Sequence, residues 1–200
     1  MAANPTPMRL LFCFLLFTTT VLMAQEELPL DHIPLAPENA SSGNVIARMI
    51  QGLGYRYYWA SKDLTETDLG YRPSKEAASS FETLEHIYGL AQVIRNTALS
   101  QASKRPLTNI PKEYQSLRAQ TLAYLNEANQ LFLSKSEAEV AQMEVIFQRG
   151  EQQSSFPVWN LLNGPLADAI YHTGQVVSFR RTSGNPIQKG VNVFIGKTKE

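Results

Sequence analysis

The chain is short of the residues that most often carry covalent chemistry. It has one cysteine, Cys13, and three histidines, His32, His86 and His172. Cys13 lies inside an N-terminal apolar run, so removal of that run leaves no thiol for a disulfide, a metal or a nucleophilic step. Charge of one sign is also lacking, with 18 basic residues against 18 acidic ones. Without a basic excess there is no electrostatic footprint for nucleic acid, and none is expected as a partner. The chain contains no HExxH zinc motif, no phosphate-binding glycine loop, no serine-nucleophile elbow and no internal repeat. What it has is apolar content of 44%, too much for a disordered chain, and 200 residues, enough for one domain with a real core.

The apolar run lies at residues 10–24, after the lone basic flank of Arg9, and ends in Ala24. It is shorter than the ~20 residues of a spanning helix. A secretory signal peptide is therefore expected over residues 1–24, cut at Ala24, with Met1 or Met8 as the start. The alternative is an uncleaved anchor. Cleavage places the protein in the periplasm or outside the cell, with no membrane span in the mature chain. Residues 25–43 are proline-rich and polar and read as an extended arm carrying His32. Residues 44–200 form the domain.

Within the domain the apolar spacing predicts four helices. The first, at 44–62, carries Val45, Ile46, Met49, Ile50 and Leu53 at intervals of three and four. The second starts at a capping box, Ser79 with Glu82, and runs to about Leu99 with Ile87, Leu90, Val93 and Ile94 on its apolar side. The third covers 111–133, capped by Asn109, with a stripe from Tyr114 to Phe132. The fourth runs from about Pro157 to Thr182, kinked at Pro165 and stopped by Gly184-Asn185-Pro186. Arg180 and Arg181 suit the negative pole at its end. The fold class expected is all-α, a four-helix bundle with long connections. Two strand-like runs, 143–148 and 191–195, are expected to pair as a small ribbon beside it.

Asp168 and His172 lie four apart on the fourth helix, so they share a face one turn apart. Leu161, Pro165, Val176 and Phe179 share it too, which puts a carboxylate and an imidazole in apolar company. His86 falls on the apolar side of the second helix, so a second imidazole is expected to face the interior. If the two helices are neighbours, His86, Asp168 and His172 converge as a tridentate metal site with an open position. Zinc suits such a set best; iron(II), nickel and manganese also accept it. The other outcome is a structural pair, Asp168 hydrogen-bonded to His172. Tyr55, Trp59 and Trp159 are candidates to shape a pocket, although such aromatics more often fill a core. No general base stands out, and the catalytic group is unassigned.

The run DAIYHTGQV at 168–176 resembles the last helix of the DinB/YfiT-like metalloenzyme superfamily, in which a His-x-x-x-His pair runs into Gly-Gln. His172, Gly174 and Gln175 match it. His86, in SFETLEHI, matches the family's remaining ligand, and Arg72-Pro73 ahead of the capping box is similar as well. The resemblance spans residues 44–185. It departs at Asp168, where the family carries histidine. It implies a four-helix bundle, pairing into a homodimer, and a divalent metal held by His86, Asp168 and His172. It also implies a metal-dependent transferase or hydrolase, thiol-dependent in part of the family, acting on a small molecule. Gln175 would orient a ligand from behind. Two other functions fit the residues: a non-enzymatic secreted bundle with a ligand-binding or stress role, and an iron(II) oxygenase.

Overall fold

The computed structural model describes residues 27–199. The expected signal peptide and its single cysteine lie outside the described residues. The described chain is mostly helical, and no helix in it is long and apolar enough to cross a membrane. Four long helices carry the core: α1 (Ser42–Ala60), α3 (Ser80–Ala98), α4 (Tyr114–Leu133) and α7 (Ala167–Thr182). Between them lie the short helices α2 (Glu66–Gly70), α5 (Glu137–Ala141) and α6 (Trp159–Leu161). α4 packs against both α1 and α3, and α7 packs against the same two.

Local signals explain where these helices begin. Ser79 and Glu82 form the expected capping box ahead of α3. Thr65 with Asp68, and Ser136 with Glu139, do the same for α2 and α5. α4 starts at Tyr114, after Pro111, and Glu113 at its cap offers no side-chain bond. Asn109, expected as the cap, sits at φ 59° in the loop before it. A π-helical turn at Leu162–Leu166 joins α6 to α7, with Gly164 off helical geometry beside Pro165. Proline lacks the amide that would continue the ladder, so the kink falls one turn before Asp168.

The core is built from Ile46, Ile50 and Leu53 of α1, Leu84, Ile87 and Ile94 of α3, the α4 stripe from Leu117 to Phe132, and Leu161, Ala169 and Val176. Each large side chain buried this way contributes roughly 1.5–3 kcal/mol. Val45 and Met49, expected in the α1 stripe, are instead partly exposed along grooves between α1 and the arm. The close approach anticipated around the α1 glycines is real at Gly54, where a Cβ would lie 2.3 Å from the Leu30 side chain. Leu30 belongs to the arm, which runs along α1 without regular structure. Trp59 Nε1 donates to the Asp31 carbonyl at 2.9 Å, fixing the arm to the end of α1.

A buried polar web ties α7 to α1. The Arg180 guanidinium donates to the carbonyls of Trp59, Ala60 and Lys62 at 3.0–3.1 Å. These belong to the end of α1, where helix carbonyls lack intrahelical partners. The sequence places Arg180 at the negative pole of its own helix; in the structure it instead serves the end of α1. Asn185 links Arg180 to the carboxylate of Asp68, which also accepts from Thr65 and Ser183.

The expected ribbon is corrected. Residues Glu144–Arg149 do form a strand, β2, but it pairs antiparallel with β3 (Gln152–Pro157) and parallel with β1 (Ser103–Arg105). Gly150, at φ 58°, supplies the positive φ that a two-residue hairpin loop needs. Residues Val191–Asn192 (β4) pair with Lys197–Thr198 (β5) as a separate hairpin. The apolar run Val193–Ile195 is the exposed turn of that hairpin, not its pairing edge.

Candidate metal centre

His86 sits in the second turn of α3, and Asp168 and His172 sit one turn apart at the start of α7. Because α3 and α7 are neighbours, the three side chains meet across the interhelical groove. His86 Nε2 lies 3.1 Å from Asp168 Oδ2, and His172 Nε2 lies 3.3 Å from Asp168 Oδ1. The imidazole rings stand edge to face at 4.5 Å between centroids. One ligand atom from each residue can be chosen so that all three lie within 4.8 Å of one another, close enough to hold a metal ion.

The cluster is not buried as expected. The His86 side chain is 49% exposed, Asp168 42% and His172 23%. The buried turn positions of α3 are Thr83, Leu84, Ile87 and Tyr88, so His86 lies at the edge of the apolar face. On α7 the core contact is made by Ala169, Thr173 and Val176, one position round from Asp168 and His172. The site is a rim on the groove, open to solvent.

Gln175 lies one turn beyond His172, and its Oε1 accepts from His172 Nδ1 at 2.7 Å. The amide nitrogen of Gln175 donates to the Tyr171 hydroxyl at 3.2 Å. An amide oxygen can only accept, so Nδ1 is the donor in this bond and Nε2 is the ring nitrogen turned to the Asp168 carboxylate. Either a proton on Nε2 or a metal ion between the two groups satisfies that pairing. The donor set fits a metal on chemical grounds. Two ligands on a tetrahedral zinc at ~2.0–2.1 Å lie roughly 3.3 Å apart; each histidine is that close to one oxygen of Asp168, and small side-chain movements would bring the set, now within 4.8 Å, onto one ion.

Neighbouring carboxylates stay out of the cluster. Glu82, one turn before His86, is held by Arg72 and by the Ser79 amide, and these interactions lower its carboxyl to about 2. Arg72 of the Arg72-Pro73 segment thus stabilises the start of α3. Burial, with Glu82 beside it, raises Glu85. Asp168 is the acidic residue of the first turn of α7, where the helix dipole favours a negative charge.

The three aromatics expected at a pocket lie elsewhere. Tyr55 is buried in α1 and reaches the Thr198 hydroxyl and the Asn192 amide of the β4–β5 hairpin. Trp59 is engaged by the arm. Trp159 is exposed and borders an apolar recess with Val45 and Val140. The cleft that adjoins Asp168 is an open one of about 530 Å3, walled by Leu90, Phe147, Pro165 and Tyr171. Sequence reasoning missed Phe147, because β2 is placed by its pairing and not by its own pattern. Tyr171 was within view, four residues before Gln175, at helical contact distance.

No protein-family model matches the chain, and neither a curated protein nor a solved structure matches it significantly.

Proposed function

We propose that the protein is a metal-dependent enzyme of the DinB/YfiT-like type, a transferase or hydrolase built on a four-helix bundle of α1, α3, α4 and α7. His86, Asp168 and His172 are its divalent-metal ligands. The observation that carries this is the Nε2 of His172, turned to Asp168 by the Gln175 bond behind it, with His86 Nε2 on the other carboxylate oxygen. A histidine ligand held through its other ring nitrogen is the usual arrangement at metal sites. Zinc is the first choice for two imidazoles and one carboxylate with an open position; nickel, iron and manganese follow.

A divalent ion in this set would lower the pKa of a bound water or thiol and supply a nucleophile at neutral pH. The chain's own contribution is positional. His86 and His172 come from different helices, so the packing of α3 on α7 sets the bite of the site. The cleft against Asp168 offers apolar walls to a small molecule, among them Leu90, Phe147 and Tyr171. With residues 1–24 as a signal peptide, the place of action is the periplasm or the cell exterior.

Titration with cobalt(II) tests the site. Visible absorption saturating at one cobalt per chain, and lost in His86→Ala and His172→Ala, is the expected result. No absorption change, or one indifferent to both substitutions, sinks the proposal.

One observation favours a second reading, a non-enzymatic secreted bundle. The triad is half open to water, whereas enzymes commonly close water out of the reacting centre. Metal binding without hydrolytic or thiol-transfer turnover of any tested small molecule would support it.

A further inference from the structure

On the far side of α7 from the triad, the arm, α1 and the β4–β5 hairpin enclose a cleft of about 580 Å3. Its volume lies within the range of small-molecule sites. Ile170 contributes to its wall from α7, and its place two residues from both Asp168 and His172 turns it to the opposite face of the helix. The cleft is therefore separate from the metal centre.

Its chemistry is one-sided. The lining is apolar apart from Arg48, Arg56 and Lys197, and it includes no carboxylate among the described residues. Neither arginine is neutralised there. Arg48 donates to the Pro34 carbonyl at 3.0 Å and Arg56 to the Gly52 carbonyl at 2.9 Å, which leaves most of each guanidinium fork open. Glu38 borders the adjoining groove on the other side of Arg48 but makes no ion pair with it. Arg48, Gly52 and Arg56 follow at i, i+4 and i+8, so the two cations stand on one face with a residue that has no side chain between them. The missing side chain at Gly52 leaves room for the Arg56 guanidinium to fold back over the helix at the edge of the cleft. At its mouth Leu35 is 92% exposed and Phe194 94% exposed, on the arm and on the hairpin turn. Both side chains line the cleft and offer apolar surface to a ligand seated in it.

We propose that this cleft binds a single-chain amphiphile with an anionic head, the head held by Arg48, Arg56 and Lys197 and the chain by the apolar walls beneath Leu35 and Phe194. Charge complementarity sets the sign of the head, because the lining holds three cations and no carboxylate. The volume sets the scale, that of one ligand molecule and not a bilayer. The inference stands apart from the metal centre and shares no residue with it.

Calorimetric titration of the purified protein with decanoate and with 1-decanol is the test. The expected result is one decanoate per chain, bound at least tenfold more tightly than the alcohol. The double variant Arg48→Ala/Arg56→Ala should lose at least tenfold in decanoate affinity and little for the alcohol. Gly52→Leu should intrude on the cleft and weaken both. At Gly52 an added Cβ meets only the end of the flexible Arg56 side chain, at 3.3 Å, so the helix tolerates it. Far-ultraviolet circular dichroism confirms that the variants are folded. Equal affinity for acid and alcohol, or decanoate binding unchanged in the arginine variant, overturns the proposal. So does binding to anionic phospholipid vesicles with no uptake of free decanoate, which assigns the face to a membrane surface.

Discussion

His172 and Gln175, one helical turn apart, share a hydrogen bond of 2.7 Å that fixes which nitrogen of the imidazole faces Asp168. A geometry set by this bond has a consequence for binding. Gln175→Ala is expected to weaken zinc affinity about 10–100-fold, the usual cost of losing a partner that orients a ligand. Competition with a chromophoric chelator measures it. Gln175→Glu, which keeps an acceptor in place, should retain most of the affinity. Equal affinity in all three proteins would remove Gln175 from the site.

Arg180→Ala should destabilise the fold by about 3 kcal/mol, because it orphans buried carbonyls at the end of α1 as well as removing a charge-assisted set of bonds. Urea unfolding gives the number. Arg180→Lys is expected to recover only part, since one ammonium cannot span the carbonyls of Trp59, Ala60 and Lys62 and also reach Asn185. A change under 1 kcal/mol for the alanine variant would mean that the α7–α1 tie is unimportant.

Acid should weaken the same web. Burial alone would raise the Asp68 carboxyl, but the bonds from Asn185, Ser183 and Thr65 outweigh it and hold it at about 2, against a usual 3.8. A carboxyl lowered by folding contributes stability above its unfolded pKa, and that contribution is lost as the pH falls through the folded value. Stability should therefore drop between about pH 4 and pH 2, by about 2 kcal/mol from this group. Asp68→Asn, followed by urea unfolding at each pH, should flatten that part of the profile. An undiminished slope in the variant would assign the acid sensitivity elsewhere.

Gly43→Ala separates helix propensity from packing. Alanine favours a helix over glycine by ~1 kcal/mol. At Gly43, however, a Cβ would lie 2.4 Å from the Phe132 carbonyl oxygen, which is backbone at the end of α4. The main chain must shift, at a typical cost of about 1–3 kcal/mol. Net destabilisation is expected in thermal melts. A raised melting temperature would show that the α1–α4 contact can relax.

The four long helices were legible because each announces itself locally, although the fourth starts at Ala167 and not at Pro157, which ends β3. The Ser79–Glu82 box, the spacing from Leu117 to Phe132 and the Pro165 kink depend on residues close in sequence, and the structure has all three. The convergence of His86 with Asp168 and His172 was legible only through the assumption that their helices are neighbours, and α3 does pack on α7. Its exposure was not legible. A shift of one position around a helix separates Ile87 from His86, and apolar spacing does not resolve that edge. The strands were harder. Gln152–Pro157 is exposed throughout and shows no alternation, so its pairing with β2 follows from the Gly150 turn and tertiary position. Val193–Ile195 looked like a strand because it is apolar, yet its residues sit on an exposed turn that borders a cleft and pairs with nothing. Tyr55 and Trp59 looked like pocket residues, yet their polar atoms are spent on the hairpin and the arm.

Elemental analysis of the protein, purified without a histidine tag and after exposure to a divalent mixture, is the decisive measurement. Close to one zinc, nickel, iron or manganese per chain, absent from Asp168→Ala and His86→Ala variants that remain folded, is the expected result. A folded protein that takes up no metal from the mixture, or takes it up equally in both variants, would contradict the proposal and leave His86, Asp168 and His172 as a hydrogen-bonded cluster on the α3–α7 groove.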